Sequence, residues 1–99
     1  MAEPPLHIQQ LQVCAWRIKY LVALPTPLES QEWQRLQGAW PGSRLDIIPV
    51  GEGLLYKLTL PERLGTITGS TASAELYAVL ARQEARQLLT QLQEVLHHL

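Results

Sequence analysis

The stretch from Ser70 to Leu99 constrains the fold most, because from Ala72 onward it contains neither Gly nor Pro. Ala74, Ala78, Ala81, Ala85, Leu88, Leu92, Val95 and Leu99 recur at steps of three and four, which places them on one face of an α-helix. Ser70 and Thr71 offer hydroxyls for an N-cap, and Glu75 sets a negative charge near the positive end of the helix dipole. The pattern predicts one amphipathic helix of about 26 residues, about 39 Å long, running to the C-terminus.

Upstream the period changes to two. Cys14, Trp16, Ile18, Tyr20, Val22 and Leu24 form one apolar face, and Val13, Ala15, Arg17, Lys19, Leu21 and Ala23 form the alternate one. This predicts a β-strand over residues 10–24, long enough to invite a bulge or a separate first segment around Leu6 to Val13. Pro4 and Pro5 mark residues 1–9 as an extended tail, leaving residues 10–99 as a single domain. Thr26-Pro27-Leu28-Glu29 has the form of a capping box, with Thr26 at N-cap and Glu29 at N3. The helix it starts turns Trp33 and Leu36 inward, with Trp40 beyond them, and stops near Gly38. Leu45 to Val50 reads as a strand at a sheet edge, since Pro49 has no donor for a ladder. Gly51-Glu52-Gly53 closes a hairpin into a strand over Leu54 to Leu60, and a loop over Pro61 to Gly69 holds a short extended piece at Thr66 to Thr68. The expected order is β-α-β-β-α. That is an α+β two-layer sandwich resembling a ferredoxin-like plan without its last strand, with a right-handed parallel or split crossover.

Ninety-nine residues suffice for one modest core. Charged residues make up only 17% of the chain and nineteen residues are Leu, so part of the apolar surface is expected to be covered by a partner. A net charge of −1 leaves no electrostatic footprint for nucleic acid. Cys14 is the one cysteine, which fits a reducing, cytoplasmic setting. The first residues lack the basic start and apolar run of a signal peptide, and no apolar stretch approaches the roughly 20 residues that span a bilayer.

Few residues suggest chemistry. Gly65-Thr66-Ile67-Thr68-Gly69-Ser70-Thr71 would be a glycine-containing loop feeding a helix N-terminus, where Arg63, Gly69, Ser70 and Thr71 could hold an anion. It lacks the spacing and the Lys of a P-loop, and turn plus cap is the plainer reading. His7, His97 and His98 have no ligand spacing, Cys14 lies on an apolar strand face, and Asp46 is the single Asp. No acid–base or nucleophile set is present, so neither catalysis, metal nor cofactor is expected. Arg17, Lys19 and Lys57 would share an uncovered sheet face if the first and third strands were neighbours. An RNA-binding sheet also needs exposed aromatics, and Trp16, Tyr20 and Tyr56 fall on the opposite register. Leu21, Ala23 and Leu55 on the uncovered face favour protein contact. Near the C-terminus Leu92, Leu96 and Leu99 extend a wide apolar arc. The expectation is a non-enzymatic interaction module, either a homodimer or an accessory subunit, that meets a protein through Leu92, Leu96, Leu99, Leu21 and Leu55. The anion-binding loop is the second reading and an RNA-binding sheet the third.

Overall fold

A computed structural model describes residues 6–99. The elements are β1 (His7–Val13), β2 (Arg17–Ala23), α1 (Ser30–Gly38), β3 (Arg44–Val50), β4 (Gly53–Thr59), a 3-10 turn (Pro61–Arg63), β5 (Gly65–Ser70), β6 (Glu75–Ala81) and α2 (Ala85–His97). The strands form one antiparallel sheet in the order β1-β2-β6-β5-β4-β3. This overturns the β-α-β-β-α plan: among the described residues there are six strands and no parallel pair, and the resemblance to a ferredoxin-like arrangement fails.

The largest correction concerns residues 65–84. The loop expected to hold a short extended piece at Thr66 to Thr68 is the full strand β5, and the expected single helix is a turn, strand β6 and a helix of only thirteen residues. Glu75 to Ala81 also alternates, with Leu76, Ala78 and Leu80 buried and Tyr77 exposed on the other side. Tyr and Val favour a pleated surface, and pairing on both sides by β2 and β5 outweighs the helical spacing of the alanines. The hydroxyls assigned to an N-cap serve the turn instead. Ser70 Oγ accepts the Ala72 amide at 3.2 Å, and Thr71 Oγ1 accepts the Leu54 amide at 3.0 Å.

The long first strand is likewise a hairpin. Residues 14–16 reverse the chain, the Cys14 amide donates to the Arg17 carbonyl, and the register slips at Leu11, where a bulge was anticipated. His7, Ile8 and Gln9 belong to β1 rather than to a tail, and the rest of that expectation, residues 1–5, lies outside the described residues. Helix α1 begins three residues later than expected. Glu29 is the N-cap, its amide donating to Glu32 Oε1 at 2.9 Å, and Thr26 is exposed in the preceding turn. Leu28 and Trp33 then occupy N′ and N4, the two positions of a hydrophobic staple, and both are buried. Strand β3 is an edge strand, as Pro49 implies.

The core lies on one side of the sheet. Val22, Tyr56, Leu58, Ile67, Leu76, Ala78 and Leu80 project there and meet Leu28, Trp33 and Leu36 from the α1 region and Ala85, Leu88 and Leu92 from α2. The Trp33 ring stacks on Tyr56 with centroids 5.2 Å apart, which sets α1 over β4 and β5. A Cβ on Gly69 would lie 2.9 Å from Trp33, so only glycine lets the indole rest on the β5 backbone. Trp40 Nε1 donates to Gln91 Oε1 at 3.4 Å and links the two helical segments side by side. Because α1 and α2 pack on the same side, the opposite face of the sheet has no helix above it among the described residues.

Candidate functional site

Two rows of side chains cross this open face. One runs Gln9, Leu21, Tyr77, Thr68, Lys57, Asp46, and the next runs Gln12, Lys19, Val79, Thr66, Thr59, Arg44. Leu21 and Tyr77 are direct partners on β2 and β6, and Lys19 Nζ lies 5.1 Å from the centre of the Tyr77 ring. Leu55 pairs with Ile48 on the other side of the face. Threonines 66 and 68 on β5 stand between these apolar flanks, and Tyr77 at the middle is 39% exposed. The face therefore combines apolar flanks and a partly exposed tyrosine with four charged side chains, Lys57, Asp46, Lys19 and Arg44, among the twelve of the two rows.

Two of the five residues expected to bind a partner, Leu21 and Leu55, do lie on this face, both half-buried. They sit on strands separated by β6 and β5, about 14 Å apart. Leu92 is 1% exposed and packs inside the domain, so it is removed from any partner surface. Leu96 and Leu99 are half-buried and line a groove with Leu6, Leu24 and Leu28, with a cavity volume of about 630 Å³. The helix end thus folds back towards Leu6, while Leu11 stays exposed on β1.

The residues proposed for anion binding are dispersed. Gly65 to Ser70 is strand β5, with no helix N-terminus after it. Arg63 and Thr71 lie beyond opposite ends of that six-residue strand, which is itself about 20 Å long. Gly69 faces Trp33 in the core. Lys19 and Lys57 share the open face but not adjacent strands, so the expected cationic cluster with Arg17 does not form. Among the described residues no group of three His, Cys, Asp or Glu side chains is placed to hold a metal. No helix among them is long and apolar enough to cross a membrane. Tyr77 and Val79 are the contributors that sequence reasoning missed. Reading 70–99 as one helix hid them, although the alternation of Glu75 to Ala81 was the signal that could have revealed them.

The chain matches no protein-family model, no curated protein and no solved structure.

Proposed function

We propose that this protein is a non-enzymatic protein–protein interaction module, an accessory subunit of a larger cytoplasmic assembly, that uses its open sheet face as the docking surface. The observation that carries the reading is the placement of α1 and α2 on the same side of the sheet, which leaves Tyr77 exposed and Leu21, Val79 and Leu55 only half-buried, with no helix among the described residues over them. A partner that covers the Leu21–Tyr77 and Leu55–Ile48 flanks gains apolar burial of about 25 cal/mol for each Å² removed from water. The hydroxyls of Thr66 and Thr68 offer polar contacts between the flanks. The free Cys14 thiol, exposed at the β1–β2 turn, suits a reducing compartment.

The test is an intact native mass of the chain isolated from its own cells. The expected result is a complex containing a second polypeptide. It is lost in Leu21→Glu and in Tyr77→Ala, while both variants keep the circular dichroism of the wild type. A chain recovered free of any second polypeptide, or a complex indifferent to both substitutions, contradicts the proposal. Recovery of salt-sensitive RNA in place of a polypeptide would favour the RNA reading instead.

A further inference from the structure

We infer that the free edge of β1 is a self-association surface whose occupant is β1 of a second copy, paired antiparallel across a two-fold axis. This surface is separate from the open sheet face and goes beyond the docking reading above.

The backbone bonds show which groups are free. The Leu24 amide donates to the Ala74 carbonyl and the Arg82 amide to the Trp16 carbonyl, so even-numbered residues of β2 face β6. The Cys14 amide donates to the Arg17 carbonyl, so odd-numbered residues face β1. His7 pairs with Ala23 and Gln9 with Leu21. The N–H and C=O of Ile8 and Gln10 therefore point away from the sheet, ready to accept another strand.

The two edges of the sheet differ in how they meet this exposure. At the β3 edge, the N–H of Leu54 on β4 donates to Thr71 Oγ1 and its C=O accepts from the Thr71 amide, so Leu54 bonds away from β3 and its β3 partner Pro49 takes an outward-facing position where it offers no donor. An Arg44–Asp46 ion pair of 3.1 Å lies on the same strand. Proline and charge are the usual means of blocking edge pairing. Strand β1, His-Ile-Gln-Gln-Leu-Gln-Val, contains no Pro, Lys, Arg, Asp or Glu. A two-fold axis sets this strand against its own sequence, and with no charged residue in it no like charges come into opposition.

An apolar strip accompanies the edge. Gln91 marks the flank of α2 that faces Trp40, and Leu89 and Leu96 lie on the flank turned away from it. These two, with Ile8, Ile18 and Tyr20 below them on β1 and β2, are only half-buried against the core. Leu11 and Val13 on β1 are 41% and 46% exposed. A seven-residue strand is about 24 Å long, and the molecule's smallest extent is 25 Å. An edge-to-edge contact of that size covers about 600 Å² on each copy, at the lower limit of stable interfaces. The dimer is therefore reversible and concentration-dependent.

Sedimentation velocity and native mass measurements on the full chain, from low micromolar to near-millimolar concentration, test this. The expected result is a shift from one chain to two. Gln10→Lys introduces like charges at the pairing edge, and Gln10→Pro removes an outward donor that the β1–β2 ladder does not use. Each is expected to raise the half-association concentration at least about tenfold, with the thermal unfolding of the single chain preserved. Should Gln10→Pro lower the unfolding temperature, Gln10→Lys decides. A chain that stays single at every concentration overturns the proposal, as does association that survives both substitutions. Association abolished by Leu21→Glu but not by Gln10→Lys assigns the contact to the open face and also overturns it.

Discussion

Gly69→Ala tests the packing of α1 on the sheet. The new Cβ would meet Trp33 Cζ2 at 2.9 Å and Leu76 Cδ2 at 2.6 Å, both closer than real Cβ contacts allow. Trp33 is 1% exposed and stacked on Tyr56, so it has little freedom to withdraw, whereas Leu76 meets the Cβ with a side-chain end. Overpacking of this kind costs about 1–3 kcal/mol. Replacing glycine also narrows the unfolded ensemble, which returns about 0.4–1 kcal/mol. The net expectation is a loss of about 1–2 kcal/mol, measured as a lower urea midpoint at unchanged slope. The decisive measurement is the double-mutant cycle with Trp33→Leu. That substitution alone costs stability through lost volume and stacking, but it removes the nearest indole atoms. Gly69→Ala in that background is expected to be close to neutral, giving a coupling energy of about 1 kcal/mol or more. Additivity within about 0.5 kcal/mol would refute the claim that the indole rests on the β5 backbone.

Gly65→Ala is expected to be worse than Gly69→Ala, costing more than about 2 kcal/mol in denaturant titration, because Gly65 has φ +140° and a Cβ there meets the Val79 carbonyl. Leu92→Ala should cost about 2–5 kcal/mol, and Leu96→Ala, at a half-buried position, roughly half as much in the same assay. Thr26→Ala should stay within about 0.5 kcal/mol of wild type, whereas Glu32→Ala loses the reciprocal cap and should cost about 0.5–2 kcal/mol. Trp16 is 82% exposed, so Trp16→Ala should leave the unfolding midpoint nearly unchanged while removing the indole emission most accessible to a soluble quencher.

The middle of the chain was legible because its punctuation is local. Pro49 identifies an edge strand, Gly51-Glu52-Gly53 a hairpin, and the alternation of Leu54 to Leu60 a strand, along which Tyr56, Leu58 and Leu60 are buried while Leu54 at the hairpin end is exposed. The hairpin at Cys14-Ala15-Trp16 was hidden because it contains no Gly, Pro, Asn or Asp, and apolar alternation runs through it without interruption. Residues 70–84 misled for a different reason. Ala74, Ala78, Ala81 and Ala85 satisfy a helical spacing, yet only Ala78 and Ala85 of the four are buried, one on a strand and one on a helix. Alanine favours helices in isolation, but flanking strands on both sides decide the outcome, and such pairing is not visible in a local window. The candidate site shared this fate. Leu21 and Leu55 could be placed on an uncovered face from alternation alone, whereas Tyr77 and Val79, which join them there, required β6 to be recognised. Leu92 continues the apolar arc near the C-terminus, which local spacing cannot distinguish from a partner surface, and in the six-stranded fold it is buried in the domain's own core.

Side-chain footprinting of the chain alone and within its native assembly tests the central claim most directly. The account predicts that Tyr77, Leu21 and Leu55 are labelled in the isolated chain and strongly protected in the assembly, with the outer faces of α1 and α2 unchanged. Protection confined to the helices, with Tyr77 labelled equally in both states, would contradict it.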